Sequence, residues 1–335
     1  MATDKTGIVG LGLIGGSLGM AFRRAGRRVK GLVHRREDAV YALSAGIADE
    51  IAAGEGDFGD CDSIIICTPL SLVREQVEKY AALYPRAVIS DVGSVKGMLR
   101  GIKGRIVGGH PMAGTEKSGI RAAGERLLEN AYYILTDYNG DESALAYMRE
   151  LVTDAGATPV VMSAEEHDKL VGKISHLVHM AAYSLVDSAM TGSEEIVGTG
   201  FLDTTRIASS SPEFWNTVAH LNRDNIVSDM DEYIKTLSAL RGEIAAGRDI
   251  TPFLSRAKAK RDSLLGRKKF MSEYILYADV PDCVGSIAGV LVKLTKEGIS
   301  IENLTVVHSR EGTGGALRLE FKDETDYNKA KEILS

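Results

Sequence analysis

The chain has 335 residues, 44% of them hydrophobic and 26% charged, with a formal net charge of −6. That length accommodates two or three domains with a sizeable core, and the acidic balance argues against a general nucleic-acid binder, which carries a basic field. Three cysteines, Cys61, Cys67 and Cys283, form no CxxC pair, and no apolar run is long enough to span a bilayer. The N-terminus enters a strand-like segment almost at once. The expectation is therefore a cytoplasmic protein without structural disulfides, signal peptide or membrane segment.

Thr6–Val9 reads as a short strand and runs into Gly10-Leu11-Gly12-Leu13-Ile14-Gly15-Gly16-Ser17. Glycines 10, 12 and 15 match GxGxxG, the spacing that gives a tight turn, close backbone approach to a pyrophosphate, and helix packed on strand. A helix over about Ile14–Ala25 would turn its N-terminal amides and positive dipole end to the phosphates. Gly10, Gly12, Leu13, Ile14 and Gly15 are thus the expected pyrophosphate contacts. The second strand, Arg28–Val33, is followed by His34-Arg35-Arg36 where an NAD site would present a carboxylate to the ribose. Guanidiniums there suit a 2′-phosphate, so NADP is favoured over NAD; the alternative is a pair of solvated surface arginines.

Strand then alternates with helix. Cys61–Cys67 ends in Thr68-Pro69, with Thr68 a further expected cofactor contact, and Ala87–Ser90 leads into Asp91-Val92-Gly93-Ser94-Val95-Lys96. Gly104–Gly108 precedes a glycine-rich turn that holds His110, and strands over Ala131–Leu135 and Thr158–Met162 flank a helix over about Asp141–Asp154. The pattern predicts a doubly wound, largely parallel sheet whose loops 10–17, 91–96 and 108–119 meet at one edge. Those loops bring Ser94, Lys96, His110 and Glu116 together. His110 can exchange a proton near neutral pH, and Ser94 either orients it or serves as a helix N-cap.

From Ser163 the pattern becomes helical. Ser163 and Glu166 fit a capping box opening one long helix to about Thr191, with Asp168, Gly172, Ser175 and His179 on one face and His176 beside His179. The two histidines read as a buried hydrogen-bonded pair or half of a metal site; without HExxH or CxxC no metal is expected. Further on, Arg206 reads as an ion-pair partner of Asp203 or as a carboxylate clamp, near the lone tryptophan, Trp215. Long helices over Val218–Leu240 and Thr251–Leu265 suggest a homodimer core.

After Ser272 a βαββα order follows, with strands at Glu273–Val280, Ile299–His308 and Ala316–Phe321 and helices at Ser286–Lys296 and Glu324–Leu334. This segment resembles an ACT domain, most clearly in Asp279-Val-Pro-Asp-Cys-Val-Gly285. The resemblance implies an amino-acid effector, tyrosine, near Asp282, Gly285 and Asn303; the plain alternative is a small domain that strengthens the dimer.

Over nearly its whole length the chain resembles the prephenate/arogenate dehydrogenase family. The motifs are Gly10–Ser17, Asp91–Lys96, Gly109-His-Pro-Met-Ala-Gly-Thr-Glu-Lys-Ser-Gly119, Ser175-His-Leu-Val-His179 and Asp203-Thr-Thr-Arg-Ile-Ala208. The resemblance implies oxidative decarboxylation of prephenate or arogenate in tyrosine biosynthesis. It implies His110 as the base for the ring hydroxyl, Ser94 as its hydrogen-bonding partner and Arg206 as the binder of the ring carboxylate. His179, His176, Glu116 and Trp215 would line the substrate pocket. Val178 stands where the family commonly has proline, which predicts a straighter helix here. The resulting fold class is α/β, in three domains. These are an N-terminal Rossmann-like doubly wound sheet (1–162), an all-α dimerisation domain (163–268) and a C-terminal ACT-like α+β domain (272–335). Competing readings are a hydroxy-acid or imine reductase using Lys173, and a non-catalytic sensor of NADP or an amino acid.

Overall fold

Short β-branched runs, apolar on both faces, build the centre of a sheet covered on both sides. Strands β1 (Lys5–Val9), β2 (Arg28–Leu32), β3 (Glu50–Ile51), β4 (Ser63–Ile66) and β5 (Val88–Asp91) are all parallel, in the order β3-β2-β1-β4-β5. Successive side chains alternate between faces. Ile8 and Ile65 join Leu18 and Phe22 of helix α1 (Leu13–Arg24), whereas Val9, Ile64 and Ile66 join Val73, Val77 and Tyr80 of α3 (Leu70–Leu83). Helix α2 (Arg36–Ser44) follows β2. The computed structural model describes residues 5–114, 117–189, 196–267, 274–281, 283–308 and 314–334. They fall into two compact units, residues 1–237 and 238–335.

The parallel run does not continue as expected. Strand β6 (Val107–Pro111) adjoins β5 through a parallel bridge between Ile89 and Ile106, but β7 (Tyr132–Asp137) pairs with β6 antiparallel. Strand β8 (Thr158–Val161) is parallel to β7, joined through α4 (Glu142–Asp154). The reason lies in the connections: a parallel return needs a crossover, normally a helix. Between β6 and β7 the described residues supply only a 3₁₀ turn, Ile120–Ala122. His110 lies within β6, opposite Ile134, and not in the turn after it.

Ser163 caps α5 (Ala164–Val171) with the reciprocal Glu166 bonds expected of a capping box. The single helix predicted from there does not form. A π-helical turn, Gly172–His176, separates α5 from α6 (Leu177–Ala189). At Gly172 a β-carbon would come within 2.8 Å of Asp229 Oδ2, so the missing side chain lets this turn sit close against α9 (Arg223–Ala245). The helix thus departs from regular geometry one turn before Val178, without a proline. Helices α7 (Thr199–Thr205) and α8 (Pro212–Leu221) follow, and Trp215, Val218 and Ile226 share one core with α3.

The second unit holds the end of α9, α10 (Thr251–Arg267), and the predicted βαββα order. Strands β9 (Tyr274–Pro281), β10 (Ile301–His308) and β11 (Gly314–Phe321) form an antiparallel sheet with β11 in the middle. Helices α11 (Ser286–Lys296) and α12 (Glu324–Leu334) complete it around Leu294, Leu317, Leu319, Phe321 and Ala330. Among the described residues no helix is long and apolar enough to cross a membrane.

Candidate active site

The turn between β1 and α1 is shaped by what its glycines lack. Gly10 has φ 95°, and a β-carbon there would meet the Cys67 carbonyl at 2.8 Å. A β-carbon on Gly15 would strike the Gly10 carbonyl oxygen, whereas one on Gly12 would enter open space. Gly10 and Gly15 are therefore required by the protein's own packing, and Gly12 leaves room for something else. Gly12 is also the N-cap of α1, whose first turn contains Leu13 and Ile14 and no acidic residue. Exposed N–H groups and a bare backbone at a helix N-terminus make an anion cradle that fits a dinucleotide pyrophosphate.

At the end of β2, His34, Arg35 and Arg36 are exposed. Arg35 is engaged with its own helix: Nε bonds Asp38 Oδ2 at 2.9 Å and Nη1 lies 3.4 Å from Glu37 Oε1. Thr68, after β4, donates its hydroxyl hydrogen to Gln76 Oε1 at 2.9 Å.

At the carboxyl end of β5 and β6 a buried ion pair joins the two strands. Lys96 Nζ reaches Asp91 Oδ2 and the Gly109 carbonyl, each at 2.5 Å, and Asp91 Oδ1 accepts from Gly109 N at 3.1 Å. The neighbouring glycine pair admits this closeness, since β-carbons on Gly108 and Gly109 would hit the Thr136 hydroxyl and the Asp91 carbonyl. His110 follows, held between that clamp and α5.

The family resemblance pairs His110 with Ser94, whereas in the structure the hydrogen-bonding partner of the ring is His167. His110 Nδ1 lies 2.8 Å from His167 Nε2, and His167 Nδ1 lies 2.7 Å from Asp168 Oδ1. Ser94 is half-buried in the loop after β5, and the described residues offer it no hydrogen bond. The reason is position: α5 presents His167 over the end of β6, closer to the ring than the loop hydroxyl. Nor does Asp168 share the His179 face as a helical repeat predicts. It accepts from the backbone N–H groups of Lys96 and Gly97, both at 2.7 Å.

The network continues across the helices. Asn222, at the end of α8, donates from Nδ2 to the Asp168 carbonyl at 2.8 Å and to His176 Nδ1 at 3.0 Å. His176 Nε2 is buried with no hydrogen-bond partner among the described residues. Trp215 lies edge-on to His176, ring centroids 5.9 Å apart, and stacks on His179 at 3.6 Å. His179 Nδ1 donates to the Ser175 carbonyl at 2.9 Å. Arg206, exposed at the end of α7, is close enough for its charge to act on His179. The structure thus joins His110 to His176, Trp215 and His179 through His167, Asp168 and Asn222, with the charge of Arg206 acting on His179, and Glu116 lies outside the described residues. Lys173, the candidate of the reductase reading, is exposed and pairs with Glu232 at 3.0 Å and Asp229 at 3.8 Å.

Burial sets the protonation of this cluster. It lowers the pKa of His110 far below the ordinary histidine value, seconded by His167, Lys96 and His176. His176 is brought down to about 4, chiefly by burial, and His179 falls through burial and Arg206 despite its carbonyl partner. His167 is likewise lowered by burial, against the pull of Asp168.

His167, Asp168 and Asn222 were not identified as a unit from sequence. The adjacent His-Asp pair on a capped amphipathic helix was the only local signal, and its partners lie 57 and 54 residues away along the chain. Of the expected effector residues, Gly285 adopts φ 92° at the start of α11 and Asn303 Nδ2 bonds Glu320 Oε1 at 3.0 Å. Asp282 lies outside the described residues.

The model for the prephenate dehydrogenase nucleotide-binding domain matches residues 18–161, and that for the prephenate dehydrogenase dimerization domain matches residues 163–254. The prephenate dehydrogenase of Bacillus subtilis is 35% identical, with 99% of this chain and 95% of that protein covered. The chain belongs to the prephenate dehydrogenase family. A cyclohexadienyl dehydrogenase of Zymomonas mobilis is 30% identical over 71% of this chain and 88% of that protein. Among solved structures, the Aquifex aeolicus prephenate dehydrogenase in complex with hydroxyphenyl propionate and NAD⁺ is similar with a TM-score of 0.72 and 33% identity, covering 78% of this chain and 98% of that one. The Synechocystis arogenate dehydrogenase is similar with a TM-score of 0.67 and 29% identity, covering 78% and 99%. A nicotinamide-dinucleotide oxidoreductase of this family accounts for the glycine cradle beside the histidine cluster.

Two tests follow from this geometry. Gly12→Ala should lower the unfolding free energy from urea titration by no more than about 1 kcal/mol, because its β-carbon meets nothing and only the N-cap preference is lost, yet weaken dinucleotide binding measured by fluorescence titration. Unaltered affinity would mean that no ligand approaches this backbone. The unfolded chain takes up protons near pH 6.5 at histidines that the folded chain keeps neutral, so stability is full above about 6.5 and declines as pH falls from there towards 4. Thermal melting across that window should show a falling midpoint; a flat profile from pH 7 to 5 would contradict the buried, neutral histidines.

Proposed function

We propose that this chain catalyses the oxidative decarboxylation of prephenate or arogenate in tyrosine biosynthesis. The observation that carries the reading is a neutral, half-buried imidazole at the carboxyl end of β6, linked through His167, Asp168 and Asn222 to His176, Trp215 and His179, with the charge of the Arg206 guanidinium acting on His179. The reaction asks for a base at the ring hydroxyl and a cation at the ring carboxylate. A nicotinamide dinucleotide bound in the glycine cradle supplies the hydride acceptor. His110 takes the hydroxyl proton, the ring carboxylate leaves as CO₂, and the ring becomes aromatic.

Arg206 binds that carboxylate, while Trp215 and His179 form a flat wall beside it. His176, buried next to Trp215, keeps this wall in place through Asn222. Because His110 is held neutral by burial, it is ready to accept a proton at neutral pH without first losing one. General-base assistance of this kind is worth about 10²–10⁴-fold.

For the adenosine end we propose NADP, on the strength of Arg36 and Arg35 and the missing carboxylate after β2. A second reading, NAD, is favoured by the engagement of Arg35 with Asp38 and Glu37 and by the NAD⁺ in the Aquifex complex. We also propose a homodimer. Phe214, Leu221, Val227, Ile234 and Leu237 leave apolar surface exposed on α8 and α9, within the stretch matched by the dimerization-domain model; sedimentation equilibrium giving a monomer mass would exclude it.

The decisive assay compares both substrates with both cofactors, followed by variants on the best pair. The NADP reading requires a kcat/KM with NADP⁺ about tenfold or more above that with NAD⁺, a difference of about 1.4 kcal/mol. His110→Asn should lower kcat by about 10²–10⁴-fold with KM little changed. Arg206→Ala should act mainly on KM, raising it about tenfold or more. Near-parent kinetics in either variant would remove that residue from its role, and no turnover of either substrate would overturn the function.

A further inference from the structure

The bond between His110 and His167 has a direction, and the direction decides whether His110 is a base at all. Asp168 accepts from the Lys96 and Gly97 backbone N–H groups and from His167 Nδ1. Burial pushes its carboxyl up, but these three donors outweigh it and hold it ionised. A carboxylate only accepts, so His167 Nδ1 carries a hydrogen. A neutral His167 then offers a bare Nε2, and the hydrogen in the 2.8 Å contact comes from His110 Nδ1. The His110 lone pair is left on Nε2. If His167 were protonated, the bond would run the other way and place the hydrogen on His110 Nε2, where no base would remain.

We propose that His167 and Asp168 are positioning residues that lock His110 in its Nδ1–H tautomer and so create the base at Nε2. Asp168, anchored on the loop after β5, orients His167, and His167 orients His110. When His110 Nε2 takes the substrate hydroxyl proton, the new imidazolium keeps its Nδ1–H bond to His167, so no second proton has to move within the site. The proton later leaves His110 Nε2 for solvent. The charged and titratable groups facing this pair are Lys96, Asp91, Asp168 and His176. Burial and Lys96 lower the His167 pKa against the pull of Asp168, which keeps the direction fixed at neutral pH.

The inference rests on His110 being the base, and the test separates the two. His167→Leu fills the buried position but cannot accept from His110 Nδ1–H. His167→Gln can, through Oε1. We expect kcat of His167→Leu to fall by about tenfold or more through loss of tautomer control, with both KM values near the parent's. His167→Gln should recover most of that rate. Long-range ¹H–¹⁵N spectra of the histidine-labelled parent enzyme should show His110 protonated at Nδ1. Parent-like kcat in His167→Leu, equal losses in the Leu and Gln variants, or a His110 proton on Nε2 would each overturn the proposal. If His167→Leu does not fold, the Gln variant and the parent spectrum still decide it. An active His110→Asn would instead overturn the base itself, whereas an inactive His110→Asn beside a fully active His167→Leu would remove only the positioning role.

Discussion

The Lys96 ammonium is fully buried, held between the Asp91 carboxylate and the Gly109 carbonyl, and it ties the ends of β5 and β6 together. Removing two charges from water is costly, and a pair like this adds little net stability compared with apolar packing. Its effect is geometric. One partner lies in the strand before the loop and the other in the loop itself, while the carbonyl precedes His110 by one residue. Losing either charge would leave the other buried and unpaired, at a cost of about 3–5 kcal/mol. The position of the imidazole is therefore coupled to an interaction that cannot relax gradually.

Asp168 extends that clamp to the helices. By accepting from the Lys96 and Gly97 amides it docks α5 on the same loop, and through His167 it meets His110 from the other side. Asn222 then joins α8 to both α5 and the π-helical turn. The result is a polar seam through an apolar interior, with nearly every donor and acceptor engaged. Such a seam is rigid when satisfied and expensive when broken. His176 Nε2, beside Trp215, is a buried nitrogen without a hydrogen-bond partner among the described residues.

Burial also gives the cluster its chemistry. Four histidines held below their ordinary pKa remain neutral where most proteins would let them charge. A neutral ring is a base, and a neutral ring also stacks on an indole, as His179 does on Trp215. The cost falls on stability at acid pH, where the unfolded chain binds the protons that the site refuses. The cofactor side shows a parallel division: packing requires glycine at 10 and 15, while Gly12 is bare towards open space.

Features set by neighbours in the chain were legible in the amino-acid order. The glycine spacing after β1, the Ser163–Glu166 cap, the alternation of strand with helix and the βαββα tail all depend on local sterics, hydrogen bonding and periodicity. The placing of His110 near a strand's carboxyl end rests on the same local pattern, whereas the pocket roles of His176, His179, Arg206 and Trp215 come from the family resemblance. What needed the tertiary structure was anything resting on a distant partner. No local rule reverses β7 against β6, puts a π-helical turn at Gly172, or sets His167 rather than Ser94 against His110. Those outcomes depend on Asp229 of α9 lying beside Gly172 and on α5 lying over β6, contacts between segments far apart in the chain. A backbone's local preferences are written residue by residue, but the direction of a buried hydrogen bond is chosen only when both of its ends are in place.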